Sequence, residues 1–274
     1  MKKSSFFVLV LLFVSGCCTI RRTYPPPSAR DLVNDVRKRN SSAQSIRAVV
    51  NADQFTKEGR VKLKVYILAE KEGKLRFEAT VMDNTVAILV SDGSRFRSID
   101  FKEHIVYEGP ATPCNIARVF NIPLTGDQVA VVLMGGVPLL QHDTAEVKWD
   151  KCKGREILSL ENRKRGVTQE IYLKKGEGSW QITGTRIRDE NGKTLLTLSA
   201  RDFELERGLW VARRTHYKHP QKKADVIIRF LSQSLNVDIP EEAFELEPPH
   251  GLEKRWLECE DLPGLPFEPV QRPE

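Results

Sequence analysis

The chain has 274 residues and a net charge of +6, from 43 Lys and Arg against 37 Asp and Glu. That length suits one large β domain or two small ones, and an excess this mild, in a chain with 29% charged residues, marks a well-solvated surface rather than one built for a polyanion. The five cysteines include no Cys-x-x-Cys pair and no metal-ligand spacing.

In chain order, Lys2 and Lys3 precede an apolar run from Phe6 to Val14. Nine residues are too few to span a bilayer, which needs about 20, but they match the apolar core of a secretory signal. Val14-Ser15-Gly16-Cys17 closes the run and resembles the bacterial lipobox. Residues 1–16 are therefore expected to be a lipoprotein signal peptide, with Cys17 as the lipid attachment site carrying palmitate-class acyl chains. Two or more chains make such an anchor effectively permanent. By resemblance to enterobacterial sorting, in which an aspartate after the lipidated Cys favours the inner membrane, Cys18 at that position implies the outer membrane of a Gram-negative envelope, with the body in the periplasm. Residues 17–27, ending in Pro25-Pro26-Pro27, read as an extended tether.

A single domain is expected over 28–258. Ser28-x-x-Asp31 reads as a helix start, and Leu32, Val33 and Val36 share one helical face until Asn40-Ser41-Ser42. From Ile46 the period changes to two. Val61, Leu63, Val65 and Ile67 alternate with polar residues, and Leu75, Phe77, Ala79 and Val81 run back. Thr85 to Ser91 is apolar on both faces and should be covered on both. Asp92-Gly93 forms a tight turn, and Phe96 to Tyr107 completes the meander. Thr112-Pro113 opens a short helix to Phe120. A second opens at Thr125, with Gln128 as capping partner, and ends at Gly135-Gly136. Its apolar residues go round most of the helix, so it should be sandwiched or sit in a mouth.

Strands then resume from Ala145 to Leu235, separated by Gly-rich turns such as Asn191-Gly192. Residues 259–274 are expected to be a flexible tail, with four prolines between Asp261 and Glu274. There is no βαβ rhythm, so the sheet should be antiparallel. The fold class is mainly β (α+β). About ten to eleven strands form a curved antiparallel sheet, closing into a half-open β-barrel with an N-terminal helix and a short helical lid.

Four segments in order resemble the LolA/LolB family of lipoprotein carriers. They are the leading helix into Ser45-Ile46-Arg47-Ala48; Gly73 to Glu78 with Val90-Ser91-Asp92-Gly93 and Ile99-Asp100-Phe101; Ile122-Pro123-Leu124 with Leu133 to Leu139; and Ile239-Pro240, Phe244 and Pro248-Pro249-His250-Gly251. Together they span residues 28 to 251, and the lipid anchor inclines the resemblance towards LolB. It implies an anchored protein that binds acyl chains and receives or inserts lipoproteins at the outer membrane. Its partners would be acylated lipoproteins or their periplasmic carrier. The alternative is a structural or sensing lipoprotein of the same fold. A monomer is expected, with no nucleic-acid partner.

The candidate cavity residues are Val65, Phe77, Val81, Ile88, Phe96, Val129, Val132, Leu133, Trp149, Leu173, Trp180, Ile182, Leu198, Phe203, Trp210 and Phe230. No cofactor, metal or catalytic residue is indicated. His216-x-x-His219 places its rings on opposite faces of a strand, and no nucleophile motif is present. The cluster Arg213, Arg214, Lys218, Lys222 and Lys223 reads as a solvated hairpin. In an oxidising envelope a disulfide is plausible, with Cys114 to Cys152 the first expectation, although spacing does not fix the pairing.

Overall fold

A computed structural model describes residues 19–56, 59–120, 124–258 and 265–269. Cys17 and the rest of residues 1–18 lie outside them. Helix α1 (Ala29–Ser42) is followed by strands β1 (Ser45–Thr56), β2 (Gly59–Glu70), β3 (Lys74–Val81), β4 (Asn84–Asp92), β5 (Arg95–Asp100) and β6 (Ile105–Pro110). Helices α2 (Pro113–Phe120) and α3 (Gly126–Leu133) come next. A second meander follows: β7 (Thr144–Asp150), β8 (Arg155–Asn162), β9 (Val167–Lys175), β10 (Trp180–Asp189), β11 (Thr194–Glu206), β12 (Leu209–His219) and β13 (Ala224–Leu235). Strand β14 (Glu253–Trp256) ends the series.

All fourteen described strands form one curved open sheet in the order β14-β6-β5-β4-β3-β2-β1-β13-β12-β11-β10-β9-β8-β7. The two meanders are joined through β1 and β13, with Ile46 opposite Leu235. Neighbours pair antiparallel except β14, which lies parallel to β6. The strand count exceeds the expected ten to eleven for local reasons. The stretch from Phe96 to Tyr107 is two strands, divided where the Asp100 carboxylate accepts the amides of Lys102 and Glu103. Edge strand β14 has no alternating apolar signal, since all four of its residues are exposed.

The concave face carries the core. Ala48, Val50, Val65, Ile67, Leu75, Phe77 and Leu89 form its β1–β4 part together with Leu198 and Phe230. Leu158, Leu160, Ile171, Leu173 and Ile182 pack under the Leu32, Val33 and Val36 stripe of α1. On the convex side, Val90, Ile88 and Leu68 are covered by Ile239, Ala243, Phe244 and Leu246. Strand β4 is thus buried on both faces, as its unbroken apolar run requires.

Candidate functional site

The first meander ends at Pro110 in β6, one strand in from the β14 edge, and the second starts at Thr144 on the opposite edge. The connection must therefore cross the sheet, and it crosses the concave face. Helix α3 is the centre of that crossing. Its start is fixed by a reciprocal cap: Thr125 Oγ1 accepts from Gln128 N at 3.2 Å, and Gln128 Oε1 accepts from Thr125 N at 3.1 Å. Gly126 then sits directly on the turn before β3, where a Cβ would stand 2.7 Å from the Gly73 Cα. Val129, Ala130, Val131, Leu133 and Met134 are all buried, the outcome expected for a helix apolar nearly all round.

The far end of α3 is held by the last turn of α1. Arg39 is buried and donates to the carbonyls of Met134 and Trp210. Burial pushes its pKa down to about 10, so the guanidinium is still charged at neutral pH. A buried cation is tolerable when hydrogen-bonded; both carbonyls take Nη2, while the buried Nη1 has no partner among the described residues. Asn40 pairs through both amide atoms with the Val137 backbone. Gln169, fully buried, accepts the Leu140 amide at 2.8 Å. It also donates to Pro138 O at 2.8 Å and to Thr185 Oγ1 at 3.1 Å. Each is a long-range polar clamp that ties the crossing segment to sheet or helix.

Two further segments cover the same face. Residues 265–269, within the stretch expected to be a free tail, are docked. Phe267 bridges to Leu140, Gln141 N donates to Pro266 O at 2.8 Å, and Glu268 N donates to Leu139 O at 2.7 Å. Leu265 and Phe267 pack on the main cluster, while the Glu268 carboxylate takes two bonds from Arg37. At the β7–β8 end, the described part of the expected tether also lies against the body. Ile20 N donates to Lys151 O, Arg22 pairs with the buried Glu156, and Tyr24 packs edge-on between Trp149 and Trp180.

Of the candidate cavity residues, Val65, Phe77, Phe96, Val129, Val132, Leu133, Leu198 and Phe230 meet in the cluster beneath α3. Leu173, Trp180 and Ile182 lie under α1. Trp149 is half-buried beneath the Arg22 guanidinium, 5.0 Å from its ring. Phe203 and Trp210 are half-buried, and the Trp210 indole donates to Glu177 O. Two placements differ from expectation. Ile88 faces the convex side, because it stands opposite Glu78 while Leu89 stands opposite Phe77. Val81 is exposed because it is the last residue of β3, at the turn to β4; the irregularity beside it places its extra residue, Val86, on β4 and leaves the alternation of β3 unchanged. Leu89, Leu124, Tyr217 and Phe267 belong to the face and were not among the candidates. The Phe77–Leu89 pairing is the signal that would have found Leu89.

The space left beneath the cover is small. A cavity of about 10 Å³ is lined by Leu124, Val132, Leu198, Tyr217 and Phe267, among others. That is room for roughly one water.

No protein-family model matches the chain, and no curated protein sequence does so either. Solved structures do resemble it. A LolA superfamily protein from Nitrosomonas europaea aligns with a TM-score of 0.51 at 10% identity, over 81% of this chain and 99% of that one. A putative outer membrane lipoprotein-sorting protein domain from Vibrio parahaemolyticus aligns at 0.50 and 12% identity, over 79% and 95%. A DUF1329 family protein from Desulfovibrio piger aligns at 0.53 and 12%, over 79% and 95%. The fold is LolA-like. At these identities the likeness concerns architecture alone.

Within this LolA-like body, no group of three or more His, Cys, Asp or Glu among the described residues could hold a metal. His216 pairs with Asp225 on the outer face of β12, while His219 is buried, so the two do not converge. No helix among the described residues is long and apolar enough to cross a membrane.

Proposed function

We propose that this protein is a lipoprotein, anchored through Cys17 to the outer membrane of a Gram-negative envelope, whose periplasmic body binds acyl chains on its covered concave face. It acts there as a monomer that receives acylated lipoproteins from a periplasmic carrier and passes them to the membrane, in the manner of LolB. The observation that carries this reading is the nature of the cover. A continuous apolar face of the curved open sheet is closed not by a second sheet but by one short helix, a crossing loop and a strap held by two main-chain bonds and an ion pair. Such covers open at lower free energy than a sheet does, and apolar area so exposed gains roughly 25 cal/mol per Å² from an acyl chain.

A second reading is favoured by the self-filled interior: a structural or sensing lipoprotein that docks a partner without carrying lipid. Native mass spectrometry of the full chain, exported and gently extracted, separates the two. A bound acyl species that is lost in a folded Phe77→Asp variant supports carriage. An apo mass, with no uptake of added acylated peptide, supports the second reading.

A further inference from the structure

The Tyr217 side chain projects from β12 into the cavity beneath the lid. The residue is 4% exposed, and its hydroxyl has no hydrogen-bond partner among the described residues. Buried tyrosines ordinarily satisfy that hydroxyl, and leaving it unmade is unfavourable. The cavity around it is lined mainly by apolar residues, among them Leu124, Val132, Leu198 and Phe267; its polar liners, Gln169 and Thr185, are bonded to each other. Burial pushes the phenol pKa up, so the group stays a neutral O–H donor across the physiological range.

Phe267, a half-buried wall of this cavity, belongs to a short strap. Two main-chain bonds to the 139–141 segment and the ion pair of Glu268 with Arg37 retain it. Pro266 and Pro269 lack amide protons, so the strap cannot extend its pairing into a full strand. Its Phe267 and Leu265 side chains occupy an apolar space of the kind an acyl chain would fill.

We propose that the space between Tyr217 and Phe267 is the subsite for the carbonyl end of an acylated ligand, and that the strap 265–269 is its built-in occupant. The ligand displaces the strap, its chain takes the room of Leu265 and Phe267, and the Tyr217 hydroxyl donates to the ester or amide carbonyl. This rests on the acyl-binding reading above and adds to it the donor residue and the competitor.

The test uses the full chain held in amphipol and two photoreactive probes of equal chain length, one a fatty acyl ester and one a plain alkane. Phe267→Ala should raise labelling by both probes several-fold. Tyr217→Phe, which keeps the ring, should lower ester labelling about two- to tenfold and leave alkane labelling unchanged. Labelled peptides should include β12. Equal ester labelling in Tyr217→Phe, or labelling of the native chain that Phe267→Ala does not raise, overturns the subsite while sparing acyl binding itself. No labelling in any variant overturns both. Circular dichroism of each variant confirms that its fold is intact.

Discussion

Asn40, in the last turn of α1, pairs with Val137 as one strand pairs with another. Its Nδ2 donates to Val137 O at 2.8 Å, and its Oδ1 accepts Val137 N at 3.1 Å. A side chain thus completes the backbone of the segment leaving the lid helix, where no neighbouring strand is available. The approach is tight: a Cβ on Gly136 would stand 2.4 Å from Asn40 Oδ1. Together with Arg39 on Met134 O, this fixes the exit of α3 while its N-terminus rests on Gly73.

Replacing Asn40 by Ala leaves the amide and carbonyl of the buried Val137 without their partner. The expected loss is about 1–3 kcal/mol of stability. Urea unfolding checks it: the midpoint falls and the slope is retained. An unchanged midpoint would show that water replaces the side chain at no cost.

Gly126→Ala should destabilise although alanine is the better helix former. The new methyl would meet Gly73 Cα at 2.7 Å and Gly73 O at 2.8 Å, backbone atoms that cannot rotate away. A cost of about 1–3 kcal/mol from overpacking exceeds the gain in helix propensity, which is below about 1 kcal/mol. Thermal unfolding of the variant should shift down by several degrees, and an upward shift would show that α3 can lift from the Gly73 turn.

The lid was legible in sequence because its signals are local: Thr125, Gln128 and Gly135-Gly136 lie within one short helix. What holds it was not. Asn40-Ser41-Ser42 reads as a helix stop, and nothing in it points to Val137, 97 residues away. The strap was hidden for a related reason. Four prolines between Asp261 and Glu274 look like a tail, and a docked strap of five described residues needs only Leu265 and Phe267 to be apolar. Alternation separates the two faces of a strand but does not name the concave one, which is why Ile88 stood in place of Leu89. Alternation likewise does not tell where a strand runs past its cover, which is why Val81, the last residue of β3, is exposed on the candidate face.

Acid should release the contact that ties β1 to β13. Asp53 is 3% exposed and bonds to Arg60 and Arg229. The Arg60 bond holds its carboxyl below the usual range; burial opposes this and Arg229 assists. A carboxyl with a depressed pKa contributes stability that is fully present above its unfolded value of about 3.9, and that is lost as pH falls through the lower folded value. Asp53→Asn should therefore cost about 1 kcal/mol at neutral pH, a modest figure because both arginines are partly solvent-exposed. The gap between variant and native chain should close below about pH 4. A gap independent of pH would mean that the carboxylate charge contributes nothing.

Cys114 and Cys152 are both disulfide-bonded, yet they belong to opposite edges of the sheet. Cys114 is in the first turn of α2, after β6, and Cys152 is in the turn joining β7 to β8. Their neighbours point to separate partners. Ile20 N donates to Lys151 O at 2.8 Å, and Ile20 O accepts from the Trp149 indole at 3.0 Å. At the other edge, Leu257 N donates to Glu108 O at 2.7 Å, and Leu257 O accepts from Asn115 Nδ2 at 3.3 Å. Two residues beyond Ile20 and Leu257 in the sequence stand Cys18 and Cys259. Non-reducing peptide mapping is expected to return Cys18 with Cys152 and Cys114 with Cys259. A peptide joining Cys114 directly to Cys152 would restore the pairing first expected from the sequence and overturn this one. Reduction of each bridge should lower stability by about 2–4 kcal/mol. The pairing also bears on the anchor. Were Cys18 bridged to the β7–β8 turn and Cys17 acylated as proposed, the link between body and bilayer would be short. Reduction, or Cys152→Ser, should then increase the reach of the body from the membrane, measured as a fall in energy transfer between a dye on the β7–β8 turn and a lipid dye.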